Sequence, residues 1–242
     1  MKRVLDVTLS FLLLIIASPL LLFSLILVYS EDFHSPIYSA PRVGYRGYTF
    51  KMYKLRSMRI AVNSNSINST SRNDPRITRV GALIRKFKID ELSQFVNVFI
   101  GNMSLVGPRP NVEQEVNLYT NVEMELLSVK PGITDIASVV FSDESDILAD
   151  SADPNLDYNR LIRPWKNRLA LTCIRNSSLS FDLSVLLITF INLFNRRAAL
   201  EMVVKLLKSC HEDHRVLQIA SRQLPLYAFP PIGTSKVVES TY

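Results

Sequence analysis

A mixed class of one long apolar helix, then short extended pieces, then helices is the pattern this sequence predicts, on three observations. An uncharged run of 19 residues, Phe11 to Tyr29, lies near the N-terminus. Residues 37–60 follow as short extended pieces punctuated by Pro41, Gly44 and Gly47, with strand character over Tyr48 to Tyr53. From residue 79 onward apolar residues recur at helical spacing instead.

The composition bounds the rest. A chain of 242 residues holds one real core, or one domain with an appendage. Its 48% hydrophobic content is high for a purely soluble domain, while 21% charged residues exclude a polytopic membrane protein. Two cysteines, Cys173 and Cys210, exclude a disulfide scaffold and most cysteine metal sites. The net charge of +6 is uneven: residues 1–88 carry +10 and residues 89–242 carry −4. The basic third suits an anionic lipid surface or phosphate, although a solvated charged face gives the same count.

Phe11 to Tyr29 approaches the length of about 20 residues that crosses a bilayer. A cleaved signal peptide is the weakest reading, because its apolar core spans about 7–15 residues and no small-x-small site closes this run. A spanning helix meets basic flanks on both sides, Lys2 and Arg3 before it and Arg42 to Arg59 after, so charge assigns no sidedness. A re-entrant helix, entering and leaving by one face, accounts for both flanks. Pro19 removes a backbone hydrogen bond at mid-run, and Ser18 can satisfy the carbonyl it frees. A kinked spanning helix fits the residues equally well.

The remaining elements follow in order. Residues 61–73 are polar and nearly uncharged, which predicts a mobile loop. Val80, Leu83, Ile84 and Phe87 predict a helix over 79–88; Leu92, Phe95, Val96 and Phe99 predict another, ended by Gly101. Residues 113–127 read as one helix and residues 161–195 as largely helical. Phe181 to Phe194 is too short to span and reads as a core helix or one lying in the membrane interface. Residues 198–210 are amphipathic, and Pro225, Pro230 and Pro231 predict an irregular arm. The expected units are thus 1–36, the membrane helix and flanks; 37–195, the main domain; and 196–242, a C-terminal helix and arm.

No Walker loop, Gly-rich dinucleotide turn or nucleophile elbow is present, and His34, His211 and His214 make no triad or zinc site. Chemistry gathers elsewhere. Arg85 and Lys88 precede the adjacent carboxylates Asp90 and Glu91, and Gly101 to Pro110 follows with Arg109 stiffened between Pro108 and Pro110. A stiff arginine suits bidentate phosphate or base recognition, and a carboxylate among cations suits Mg²⁺ ligation or nucleophilic attack on phosphorus. On position alone Asp90 and Glu91 read first as acids in the first turn of a helix.

The chain resembles the monotopic phosphoglycosyl transferases, bacterial sugar transferases that begin glycan assembly on undecaprenyl phosphate. The likeness covers about residues 1–195 and is carried by Lys2-Arg3-Val4-Leu5-Asp6, Ser18-Pro19, Pro41-Arg42-Val43-Gly44, Tyr53 to Met58, Asp74 to Gly81, Asp90-Glu91-Leu92, Gly101 to Pro110, and Lys130-Pro131-Gly132-Ile133-Thr134. The α+β class follows mostly from this likeness, which implies a small membrane-associated α+β catalytic domain with interfacial amphipathic helices around a re-entrant helix broken at Ser18-Pro19. It implies that Asp90 attacks the β-phosphorus of a UDP-sugar, releasing UMP, and that polyprenyl phosphate then takes the phosphosugar. Asp90 and Glu91 would hold Mg²⁺. Lys54, Arg56, Arg85 and Pro108-Arg109-Pro110 would bind substrate, the last three at the uridine end. It places the protein at the bacterial inner membrane with its domain on the cytoplasmic face, and the start of O-antigen, capsule or glycoconjugate synthesis as the role.

One segment departs from that likeness. Such proteins commonly continue Lys-Pro-Gly-x-Thr with Gly-Trp and a later Gly-Arg pair, whereas Thr134 here is followed by Asp135 to Glu144. An arginine contact to the phosphosugar would then come from elsewhere, with Arg160 and Arg163 as candidates. The same departure is the one support for a second reading, a membrane-tethered docking protein without catalysis. Nucleic acid is not an expected partner, since the basic residues lack interleaved stacking aromatics. The sequence names no sugar and leaves a homodimer open.

Overall fold

The structure, a computed structural model, describes residues 1–59 and 75–239. The predicted loop over 61–73 lies outside the described residues. The chain opens with α1 (Lys2–Asp32), a single 31-residue helix that contains Pro19. Pro19 has no N–H for the Ile15 carbonyl, and Ser18 Oγ donates to that same oxygen at 2.8 Å. The freed acceptor is therefore satisfied locally, and no residue between 2 and 32 leaves the helix. Among the described residues α1 alone is long and apolar enough to cross a membrane.

The hairpin follows as β1 (Ile37–Val43) and β2 (Thr49–Leu55), antiparallel, with Tyr38 opposite Lys54. Next come α2 (Arg79–Lys86), a 3₁₀ turn over Ile89–Glu91, and α3 (Gln94–Ile100). Gly101 ends α3 at φ 97°, a left-handed conformation that costs glycine little. Then β3 (Ser104–Val106) leads to α4 (Glu113–Val116) and a 3₁₀ turn over Glu123–Ser128. The single helix predicted over 113–127 is thus two short pieces. Arg163 Nη2 donates to the Leu118 carbonyl at 2.9 Å, and the Thr120 hydroxyl accepts from Glu123 N at 3.1 Å, so side chains compete successfully for helix backbone groups.

The strand β4 (Gly132–Thr134) runs parallel to β3, Ser104 opposite Gly132 and Val106 opposite Thr134. Two motifs read separately in sequence are therefore one paired unit. The chains approach so closely that a Cβ on Gly132 would lie 2.1 Å from Gly107 N, and one on Gly107 would lie 2.6 Å from Lys130 O. Only glycine fits at either position.

Helices complete the chain: α5 (Ile136–Val140), α6 (Glu144–Ile147), α7 (Pro154–Asp157), a π turn over Tyr158–Ile162, α8 (Arg163–Arg175), α9 (Leu179–Asn192), α10 (Arg196–Ser209) and α11 (His214–Ser221). The mixed helix-and-sheet content agrees with the α+β expectation. Trp165, Val98, Met103, Ile136, Val140, Val185, Val203 and Ile219 share one core, so residues from α3 to α11 bury a common apolar surface. The departing segment, Asp135 to Glu144, is part of it. Asp135 caps α5 by accepting from Ser138 N at 2.6 Å, and Ile136, Ala137, Val139, Val140 and Phe141 are all buried.

Both ends of α1 are bonded to this body. At the start, Lys2 Nζ meets Asp182 of α9 at 2.6 Å and donates to Val106 O at 3.0 Å. Arg3 covers the open carbonyls at the end of α3, Val98 O at 2.6 Å and Phe99 O at 2.8 Å. Asp6 accepts from Ser104 Oγ and Leu105 N at 2.9 and 3.0 Å. At the far end Arg56 pairs with Asp32, and Val28 packs with Leu55 and Ile84. Between these anchors Leu12, Ile15, Ile16, Leu20, Leu22, Phe23 and Ile26 are exposed. Neighbouring helices extend that apolar surface through Phe99 and Ile100 of α3 and Leu183, Leu187 and Phe190 of α9. Helix α9 is both core and surface, since Phe181, Asp182, Val185 and Ile188 on its other face are buried.

Candidate active site

The adjacent carboxylates are presented by a turn rather than by a helix. Lys88, at φ 54°, follows α2 and redirects the chain into the turn Ile89–Glu91. Both stand in the first turn of this short 3₁₀ segment, as their position predicts, but among the described residues neither carboxylate accepts a backbone N–H. Asp90 is 9% exposed. Among the described residues its two oxygens accept no hydrogen bond, and its nearest cation is Lys54 Nζ at 3.9 Å. Glu91 Oε1 accepts from Arg109 Nη2 at 2.9 Å and faces Lys54 Nζ at 3.6 Å.

Three segments far apart in sequence build this cluster. Lys54 comes from β2, the carboxylates from the turn, and Arg109 from the loop after β3. Asn97, fully buried in α3, fastens the first two together: its Nδ2 donates to Lys51 O at 2.7 Å and its Oδ1 accepts from Tyr53 N at 3.0 Å. Ser93 Oγ donates to Tyr53 O at 3.1 Å. Sequence reasoning passed over Asn97, although an amide inside Phe95-Val96-Asn97-Val98-Phe99 is a polar residue where the pattern calls for core. The third segment is aimed by the glycine contact: Gly107 N donates to Thr134 O at 3.0 Å and Gly132 N to Pro108 O at 2.9 Å.

The electrostatics separate the two acids. Burial pushes the Asp90 carboxyl up, Lys54 pulls it back and Glu91 adds to the rise, leaving it above the ordinary aspartate value. Burial opposes the Glu91 charge too, yet Arg109, Lys54 and Lys88 hold its carboxyl down at about 2. Arg109 is correspondingly held in its charged form, chiefly by Glu91. Burial lowers Lys54 below the usual lysine value. One carboxylate is thus a fixed charge, and the other is desolvated with unshared lone pairs. That difference is what a nucleophile and its supporting acid require.

The other expected residues are distributed as follows. Arg85 lies at the end of α2, where its charge acts on Asp90. Pro108 and Pro110 flank Arg109 in the loop after β3. Arg56 is buried and engaged at the membrane helix, donating to Ser35 O at 2.8 Å as well as pairing with Asp32. Ser18 and Pro19 stand mid-way along α1, where the hydroxyl of the first answers the N–H that the second lacks. Of the substitute arginines, Arg163 is buried against Glu123, Leu118 O and Asn159, and is engaged in the fold. Arg160 stands in the π turn, a feature frequent at functional sites.

Residues 1–196 match the bacterial sugar transferase family. An uncharacterized sugar transferase of Haemophilus influenzae is 36% identical over 219 residues, which is 82% of this chain and 42% of that protein. The UDP-glucose:undecaprenyl-phosphate glucose-1-phosphate transferase of Escherichia coli K12 is 32% identical over 203 residues, 82% of this chain and 41% of its own. The undecaprenyl-phosphate galactose phosphotransferase of Salmonella typhimurium is 40% identical over 156 residues, 57% of this chain and 32% of its own. The chain therefore spans about two-fifths of the first two relatives' length. By the extent of the family match, this chain belongs to the bacterial sugar transferases.

Proposed function

We propose that this protein transfers a sugar-1-phosphate from a UDP-sugar to undecaprenyl phosphate at the cytoplasmic face of the bacterial inner membrane. The observation that carries the reading is Asp90, a desolvated carboxylate with no hydrogen bond among the described residues, set between Lys54 and the Glu91–Arg109 pair. Family membership and the names of the relatives support the substrate class.

In the first step an Asp90 oxygen attacks the β-phosphorus of the donor. The bond from that phosphorus to the bridging oxygen breaks, and UMP leaves. In the second step an oxygen of the polyprenyl phosphate attacks the same phosphorus, and the Asp90 carboxylate departs as it entered. Lys54 and Arg109 neutralise charge spread over the transferring group, and Arg85 bears on the same place; phosphoryl transfer depends mostly on such positioning and neutralisation. Glu91 keeps Arg109 charged and oriented.

Among the described residues no three His, Cys, Asp or Glu side chains converge on a metal position. Magnesium fits the pair nonetheless, because it is bound by one or two carboxylates together with substrate phosphates. The Asp90 oxygens and Glu91 Oε2 accept no hydrogen bond from the described residues and are open to it. Asp90 and Glu91 would hold it, and when bound it would add positive charge against the donor's diphosphate.

The membrane arrangement belongs to the same reading. A straight 31-residue helix is about 46 Å long. Helix α1 stays helical through Pro19; with both of its ends bonded to one body, a course that enters and leaves by the face where that body sits accounts for the anchors better than a crossing. The exposed apolar residues of α3 and α9 then rest in the interface. The test of the chemistry is intact mass spectrometry of the detergent-solubilised protein with Mg²⁺ and UDP-glucose, UDP-galactose or UDP-N-acetylgalactosamine, without lipid. A gain of one phosphosugar that is absent in Asp90→Asn is the expected result. Turnover to UMP that survives Asp90→Asn would overturn the nucleophile assignment.

A further inference from the structure

We infer that Arg222 of the C-terminal extension, together with Arg196 at the end of the family match, forms a positioning clamp on the segment that departs from the family likeness: the two grip Asp143 and thereby set α6 with its Glu144–Lys166 pair. The inference rests on the proposed reaction for its catalytic readout. Arg196 is the last residue of the family match, and everything after it lies beyond.

The grip is two-sided. Arg196 Nη2 stands 2.8 Å from Asp143 Oδ1 as an ion pair without hydrogen-bond geometry, and Arg222 Nη2 donates to Asp143 Oδ2 at 3.1 Å. Arg222 also lies over the Phe141 ring at 5.7 Å. Asp143 is the residue at which α6 begins, and the next side chain, Glu144, accepts from Lys166 Nζ of α8 at 2.7 Å. Lys166 in turn stands over the Tyr158 ring of the π turn at 5.4 Å. Glu144 adds to the field that keeps Arg109 charged, which connects this wall with the candidate site.

The arm after α11 secures the same wall from behind. Phe229 N donates to Arg160 O in the π turn at 3.1 Å, and the Phe229 ring stacks on Trp165 at 4.3 Å. Arg168 Nη1 reaches Pro230 O at 3.0 Å, and Thr120 Oγ1 donates to Ile232 O at 2.5 Å. A wall of short elements has little regular backbone bonding to stiffen it. The extension adds to the core packing that orders it, and because Glu144 bears on Arg109, the proposed donor contact, the effect expected is on donor affinity more than on the chemical step.

The test uses full-length protein in detergent with Arg222→Gln, Asp143→Asn, the double variant and Arg222→Lys. Hydrogen exchange read by mass spectrometry requires no turnover. Peptides over 143–166 are expected to exchange about tenfold faster in either single variant, no faster in the double and closer to wild type in Arg222→Lys, while peptides over 89–106 stay unchanged. With the donor that wild type captures, KM for that donor should rise about tenfold, with kcat within about twofold and the KM for undecaprenyl phosphate unmoved. Acceleration that spreads to 89–106, losses that add in the double variant, or a fall in kcat at constant donor KM would each overturn the clamp. If wild type captures no phosphosugar from any donor, the proposed reaction fails, and the exchange pattern alone upholds or overturns the clamp.

Discussion

Asp90 and Glu123 are both buried acids, and their surroundings differ in every respect that matters. Glu123 is fully buried and fully engaged: its carboxylate accepts from Asn167 Nδ2 at 2.7 Å and Thr120 N at 3.0 Å and faces Arg163 at 3.5 Å. It joins the turn before β4 to α8. Asp90 is nearly as enclosed, but among the described residues it accepts no hydrogen bond, and its nearest cation stands at 3.9 Å. A buried acid with both oxygens hydrogen-bonded holds a fold together; one whose oxygens accept nothing is destabilising in place and available for reaction. Burial alone would have ranked Glu123 first as a functional residue. The hydrogen-bond inventory reverses that order.

The comparison breaks most sharply by substitution at Asp90. Asp90→Asn should reduce phosphosugar capture by at least about 10³-fold, since an amide cannot form the adduct. It should leave the thermal midpoint unchanged or slightly higher, because a desolvated charge is removed. A clear drop in midpoint would place Asp90 with Glu123 as a structural acid. Glu123→Ala should do the reverse. It leaves Arg163 and Asn167 without their shared acceptor and should cost about 3 kcal/mol in denaturant unfolding, the range for breaking a buried ion pair. An unchanged midpoint would show that the network contributes nothing.

Acid titration sharpens the contrast between the two adjacent carboxylates. Asp90 has a raised carboxyl, so its reactive ionised form is lost early as pH falls, and capture should decline at a pH above the ordinary aspartate value. Glu91 has its carboxyl lowered from 4.5 to about 2, so its contribution to stability is present above about pH 5 and is lost as pH falls toward 2. A pH series of capture and unfolding on one preparation should therefore show activity failing before this share of stability does. Coincident losses would contradict the separation. The smallest effect is expected at Ser18→Ala, which leaves the Ile15 carbonyl without its hydroxyl partner and should cost about 1 kcal/mol or less. Thermal unfolding in detergent, compared with Ser30→Ala as a control on the same helix, measures it.

Much of the local structure is legible in the residues. The apolar run from Phe11 marks α1, Gly101 marks the end of α3, and the punctuation at Pro41, Gly44 and Gly47 marks the extended pieces of the hairpin. The adjacency of Asp90 and Glu91 singles them out before any coordinates. The failures have identifiable causes. The predicted 113–127 helix is divided because Arg163, far along the chain, claims the Leu118 carbonyl. Strands β3 and β4 are three residues each, too short for a period to register. Arg163, a candidate in sequence for the phosphosugar contact, is taken by Glu123. Asp182, in the first turn of α9, is the partner of Lys2, a pairing 180 residues apart that no local pattern shows.

What the sequence determined by itself is whatever depends on neighbours within a turn or two: the long apolar helix, the caps and turns, the paired acids, the stiff Pro108-Arg109-Pro110 unit. What only the tertiary structure decided is which charges meet. Lys54 and Arg109 reach Glu91 from positions 37 and 18 residues away along the chain. Both ends of α1 return to one body, and the extension closes on Asp143. Periodicity and propensity act over the few residues that share a helix turn or strand pair, whereas ion pairs and close glycine contacts depend on distances set by the whole packed core.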